Sequence, residues 1–176
     1  MQRISVISFT ENGRCLAREV QNCFKEWDVH CFTQEEIKEQ GLARWTKEQM
    51  GQRNTLLFIG SCGIAVRAIA PNLVNKLQDS AVLVMDEKGN YVIPILSGHV
   101  GGANELACML AKRIGAVPVI TTATDINGKF AVDVFAKKNG LWIQNKEGIA
   151  KVSSKVLRGE RITLSVEAGR IINTKL

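Results

Sequence analysis

Short apolar runs punctuate the chain at residues 4–9, 55–59, 81–86, 91–96 and 116–120, each closed by a turn signal. The run Thr55-Leu56-Leu57-Phe58-Ile59 shows no apolar–polar alternation, the pattern of a strand covered on both faces of a largely parallel sheet. Between the runs the spacing changes to that of helices. Leu16, Val20, Cys23, Phe24 and Trp27 share one face, and Ala103, Leu106, Ala107, Leu110, Ala111 and Ile114 form another inward stripe. Residues 28–33 are short and strand-like, and residues 34–50 predict a polar helix anchored by Ile37, Leu42 and Trp45. Glu87-Lys88-Gly89-Asn90 suits a hairpin between two strands, which makes the sheet mixed. Pro71 must stop or restart the helix that follows Gly60, because proline lacks the donor an interior helical position needs. Gly115 ends the helix before it. From Gly140 the texture shifts to a short strand at 141–143, a basic helix at 146–157 and a last strand at 161–166. Strands alternating with helices give an α/β fold with a mostly parallel, mixed central sheet. The expected division is residues 1–138 as one domain and 139–176 as the start of an incomplete second.

Composition narrows the function. At 176 residues, 45% hydrophobic and 23% charged, the chain suits one soluble domain or one plus a piece of a second. Its net charge of +6 is scattered along the sequence and not interleaved with aromatics, which points to an anionic small molecule and away from nucleic acid. Five cysteines, Cys15, Cys23, Cys31, Cys62 and Cys108, include no C-x-x-C pair, so neither a disulfide framework nor a structural zinc site is expected. Most of them read as small apolar packing residues. No apolar run is long enough for a signal peptide or a membrane span, so the expectation is a cytoplasmic protein without a membrane partner.

Three bends carry candidate chemistry. In Leu96-Ser97-Gly98-His99-Val100-Gly101-Gly102-Ala103-Asn104 a strand enters a glycine-rich turn and opens a helix. The glycines let backbone approach a ligand closely, the first helical turn offers unpaired amides, and Ser97, His99 and Asn104 add polar side chains. A strand-to-helix turn with a surface histidine is the plainer alternative. After Ile59 comes Ser61-Cys62-Gly63-Ile64-Ala65-Val66-Arg67, where Cys62 reads as a structural thiol and Arg67 either clamps a carboxylate or simply faces solvent. After Ile120, Thr121-Thr122-Ala123-Thr124-Asp125 is either a second polar site or a cap for a helix at 130–137. If their strands are parallel, all three bends lie along one carboxyl edge, where open α/β sheets bind ligands. The glycine cluster lacks G-x-G-x-x-G spacing and there is no P-loop lysine, which weakens a nucleotide-binding reading.

Gly60-x-x-Gly63-Ile64-Ala65-Val66-Arg67-x-Ile69-Ala70-Pro71, Val84-x-Asp86-Glu87, the 96–104 string and Thr121-Thr122-Ala123-Thr124-Asp125 together resemble the amino-terminal part of the cobalamin-biosynthesis CbiG family. The resemblance runs from about residue 4 to residue 136, and residues 140–166 look like the start of that family's middle region. It implies a Rossmann-like three-layer fold. It also implies a cobalt-precorrin-5A hydrolase of anaerobic corrin-ring synthesis, which opens a δ-lactone and releases acetaldehyde to give cobalt-precorrin-5B. Such chemistry needs a base to activate water and donors for a tetrahedral oxyanion. By the resemblance, His99 would be that base and Asp125 its orienting partner or a second acid or base. The amides of Gly101, Gly102 and Ala103 would be the oxyanion donors. Arg67 would hold peripheral carboxylates of an anionic cobalt corrinoid, and Ser97, Gly98, Asn104, Thr122, Thr124 and Gly63 would line the substrate. Cobalt would arrive within the substrate, with no cofactor or protein-bound metal. Family members usually continue into a further carboxyl-terminal domain, so a missing domain or a homo-oligomer would complete the protein. The alternative is a non-catalytic tetrapyrrole-binding module that depends on such a partner.

Overall fold

The computed structural model describes residues 3–75, 78–165 and 169. The apolar runs become β1 (Arg3–Ser8), β3 (Thr55–Ile59), β4 (Val82–Met85) and β5 (Tyr91–Leu96), with β2 (Asp28–Thr33) and the two-residue β6 (Val117–Pro118) at the two outer positions. Among the described residues these six strands form one sheet in the order β2-β1-β3-β4-β5-β6. β2, β1, β3 and β4 are parallel, β5 is antiparallel to β4, and β6 is parallel to β5. This is the mostly parallel, mixed sheet of an α/β fold. Every residue of β3 and β4 is buried, as their unalternating sequences require.

Two helical layers supply that burial. α1 (Glu11–Cys23) touches β1 and α4 (Ala103–Ile114), and buried Leu16, Ala17, Val20, Leu106, Ala107, Leu110 and Ala111 line these two helices. α2 (Gly41–Gly51) and α3 (Cys62–Ile69) touch one another, and Trp45, Met50, Ala65, Ala68 and Ile69 join Ile7, Leu56, Phe58, Val82 and Val84 in one apolar cluster. Trp45 packs edge-on to both Phe32 and Phe58, with ring centroids 5.4 and 6.1 Å apart. Each fully buried Leu, Ile or Phe contributes about 1.5–3 kcal/mol, so the sheet is the structural reference for everything attached to it.

Several local expectations are corrected. Residues 34–40 form turns, and α2 starts only at Gly41. Thr10, at the bend after β1, is the N-cap of α1, its hydroxyl accepting from the Gly13 amide at 3.1 Å and donating to Glu87 at 2.7 Å. Past Ile69 the chain tightens into a 3-10 turn, Ala70–Asn72, with Pro71 at its start, so the proline ends the α-helix and restarts a shorter one. No regular structure forms at 141–143 or 161–165, and Val166 lies outside the described residues. The cysteines are not core residues: Cys15, Cys62 and Cys108 are exposed and Cys23 and Cys31 half-buried, all as free thiols. Burial pushes the Cys31 thiol up from its ordinary pKa.

The chain divides into two compact units, Met1–Val119 and Ile120–Leu176. The second contains α5 (Ala123–Ile126), α6 (Val132–Lys138) and α7 (Glu147–Leu157), with α7 touching both of the others. Phe135, Ala136, Ile149 and Val156 are buried on these helices.

Candidate functional site

The hairpin decides where the bends lie. Met85 pairs with Val92 and Val82 with Leu96, so β5 ends level with the beginning of β4. The glycine-rich bend therefore hangs from the lower rim of the sheet, where β1, β3 and β4 begin. The bend after Ile59 leaves from the upper rim, where they end. The expectation of one shared edge fails because a strand that reverses direction delivers its loop to the opposite side. The four rises of ~3.3 Å from Thr55 to Ile59 put about 13 Å between the two rims, so Gly63, at the top of α3, is not brought to Ser97. Arg67 sits in the last turn of α3, at its lower end, and is exposed.

Residues 97–102 are tightly determined. Ser97 is a non-glycine residue at φ +54°, in the left-handed region that costs L-residues energy. Its hydroxyl donates to the Asp79 carbonyl at 2.8 Å, tying the bend to the loop before β4. A Cβ on Gly101 would stand 2.5 Å from Ser97 Cβ and 2.7 Å from Ser97 O, and one on Gly98 would stand 2.6 Å from Asn104 Oδ1. Both positions exclude any side chain while the bend keeps its shape. Asn104 is buried, and Gly102, the N-cap of α4, is left-handed at φ +84°. His99 is half-buried on this bend.

Of the three amides expected as oxyanion donors, those of Gly102 and Ala103 are in use, as is that of Asn104. Gly102 N donates to His99 O at 3.0 Å, Ala103 N to Ser97 O at 3.2 Å and Asn104 N to Gly98 O at 3.1 Å. The bend folds its carbonyls back over the helix end and satisfies donors a ligand would otherwise take. Sequence could not show this, since it depends on the left-handed turn at Ser97.

Thr122 occupies the N-cap position of α5 and is half-buried, Thr124 is buried within it, and Asp125 is exposed. The Asp125 amide donates to Thr122 O at 3.0 Å. These residues thus belong to their own short helix and do not cap the helix at 132–138. Asp86, at the upper rim, is a turn-former: one carboxylate oxygen accepts from Lys88 N and Asn90 Nδ2 and the other from Tyr91 N.

One feature of the lower rim had no signal in the sequence. A cleft of about 410 Å³ is lined by Lys47 and Met50 of α2, the 3-10 turn and the loop through Asp79 and Ser80. Nothing in Asn72-Leu73-Val74-Asn75 or Gln78-Asp79-Ser80 marks it beforehand. Among the described residues no helix is long and apolar enough to cross a membrane, and no group of three or more His, Cys, Asp or Glu is placed to hold a metal ion.

The chain that carries the glycine-rich bend and, after α4 and β6, the threonine-rich α5 has counterparts among known proteins. The model of the cobalamin synthesis G amino-terminal region matches residues 44–125, and that of the cobalamin biosynthesis central region matches residues 130–176. The chain belongs to the CbiG family. Curated relatives include the cobalt-precorrin-5A hydrolase of Salmonella typhimurium, 36% identical over 93% of this chain and 48% of its own length. That of Priestia megaterium is 36% identical over 94% of this chain and 47% of its own. The chain thus spans about half the length of the CbiG relatives it matches. A crystal structure of a cobalamin biosynthesis protein G homolog from Sulfolobus solfataricus shares the fold, with a TM-score of 0.55 at 24% identity over 94% of this chain and 51% of that one.

Proposed function

We propose that this chain supplies the catalytic half of a cobalt-precorrin-5A hydrolase. The enzyme adds water to open the δ-lactone at the ring periphery and expels the extruded meso carbon together with its methyl group as acetaldehyde, leaving cobalt-precorrin-5B. The observation that carries the reading is the bend at 97–102: a strained Ser97 and two positions closed to any Cβ hold one histidine on a rigid strand end, and strain of this kind persists where a site needs a fixed geometry. The names of the 36%-identical relatives support the substrate.

In this mechanism His99 accepts the proton of the attacking water. Asp125 serves as the second acid or base, with Thr122 and Thr124 as substrate contacts. Arg67 takes a peripheral carboxylate. Ser97, Gly98 and Asn104 position the bend, and Gly63 belongs to the upper rim. With the Gly102 and Ala103 amides engaged by the His99 and Ser97 carbonyls, Gly101 keeps the role of oxyanion donor. Cobalt enters with the substrate.

The test is acetaldehyde release from cobalt-precorrin-5A by the full chain. Wild type should liberate acetaldehyde, and His99→Ala should lower the rate about 10²-fold or more while corrinoid binding persists. Wild-type turnover in His99→Ala would sink the assignment. Because the chain spans half of its relatives, a wild type that binds the ring without releasing acetaldehyde would mark it as a tetrapyrrole-binding module working with a further domain.

A further inference from the structure

His99 stands on a bend that does not set its own shape. Ser97, two residues before it, lies at φ +54°, and strain of that kind persists only where the surroundings over-determine it. The Ser97 hydroxyl donates at 2.8 Å to the carbonyl of Asp79, 18 residues earlier, and that acceptor is itself fixed. Asp79 Oδ1 accepts from Val74 N at 2.8 Å and from Asn75 N at 3.3 Å, and the Asp79 amide donates to Asn75 O at 3.0 Å. One residue thus uses side chain, amide and carbonyl together, the first two on the segment behind it and the third on the bend.

The two residues after Asp79 carry this anchorage into the core. Ser80 is buried, and its hydroxyl donates at 3.4 Å to the Met50 carbonyl near the end of α2. The Ala81 carbonyl accepts from Leu56 N of β3 at 2.9 Å. A Cβ on Gly101 would come within 3.4 Å of Ala81 Cβ, so the bend rests directly on this segment. Residues 79–81 are the floor under residues 97–102, and Asp79 is where that floor grips the strained residue.

We propose that Asp79 is a positioning residue for His99: its side chain fixes its own carbonyl, the carbonyl holds Ser97 left-handed, and Ser97 sets where the imidazole stands. The inference deepens the His99 reading above and rests on it for its catalytic consequence. The role asks for an acceptor oxygen and not for a charge, which separates it from that of an acid, a base or a counter-ion. Asparagine keeps Oδ1 and alanine does not.

The test follows the imidazole signals of the full chain, labelled at histidine, by NMR. The chain has two histidines, His30 and His99, so His99→Ala assigns both. Asp79→Ala should shift or broaden the His99 signal and leave that of His30 in place, and Asp79→Asn should return it to the wild-type position. An unmoved His99 signal in Asp79→Ala overturns the proposal. So does an Asp79→Asn signal displaced as far as that of Asp79→Ala, which would assign the effect to charge. Ser97→Ala cuts the same hydrogen bond from its other end and keeps the test open if Asp79→Ala does not fold; an unmoved His99 signal there overturns the proposal too. Acetaldehyde release measured in parallel should show kcat about tenfold lower in Asp79→Ala with KM little changed, since a small misplacement of a catalytic group costs rate more than binding, and most of the rate retained in Asp79→Asn. A displaced His99 signal with a wild type that releases no acetaldehyde keeps the positioning role and removes the hydrolase, whereas wild-type turnover with an unchanged kcat in Asp79→Ala does the reverse.

Discussion

At the scale of single residues, the glycines of the two conspicuous bends are not equivalent. Gly101 is pressed against Ser97, and the obstacle includes a backbone oxygen that cannot swing away. Gly63, inside α3, would place a Cβ no closer than 3.7 Å to Ser61 Oγ. Gly101→Ala should therefore cost about 1–3 kcal/mol through overpacking, and Gly63→Ala should be neutral or stabilise by up to ~1 kcal/mol through helix propensity. Urea denaturation of both variants measures the contrast, and equal losses would mean the bend is softer than it is drawn here. The order of residues along 96–104 located Ser97 and His99 in one turn and Asn104 at the start of the helix that follows. It did not reveal that the turn consumes its own amides, because that follows from a single φ at Ser97.

Elements were legible where burial is complete and obscure where it is partial. The unalternating run in β3 and the stripe of α4 sit at the centre of the packing, and both were readable in advance. Residues 34–40 mislead because glutamate and lysine favour helices in general while only Ile37 is buried there. α1 shows how a helix start is secured: Thr10 both caps it and bonds Glu87 across the upper rim. Thr10→Ala should lower stability by about 1–2 kcal/mol with an unchanged denaturant slope, since the exposed area is the same. A changed slope would indicate that α1 unravels instead of merely losing its cap. α4 is held to α1 differently, by Arg113, which stacks 4.1 Å over Phe24, donates to the Cys23 carbonyl at 2.5 Å and pairs with Glu26.

For the whole molecule, two surface carboxylates link folding to acidity. Arg3 hydrogen-bonds Asp28, with His30 2.6 Å from its other oxygen, and Arg113 hydrogen-bonds Glu26; each partner holds its carboxyl below the ordinary 3.8 and 4.5. The unfolded chain therefore binds more protons than the folded one across this range. The stabilisation is complete above those ordinary values and disappears as pH falls through the lowered ones. Both groups are exposed, so the effect is small and weakened by salt. Denaturation midpoints taken from pH 5 to pH 3 should fall, and fall less steeply in Arg3→Gln; identical slopes would remove Asp28 from the account. The position of the bend belongs to this scale as well. The hairpin sequence 87–90 was readable, and so was the mixed sheet, yet the side of the sheet that receives residues 97–102 follows only once strand directions are traced through β4 and β5.

The reversal at that hairpin leaves the bend after β3 and the bend after β5 on opposite rims of the sheet. The crest between β1 and β3, where the chain's first helix and its third diverge, is the customary docking place of such folds, and here it is left to Thr10, Glu87 and Ser61. A compound lodged on the crest and one lodged on the underside would not compete for space, so an inhibitor of the proposed hydrolysis would have to be shaped to the underside.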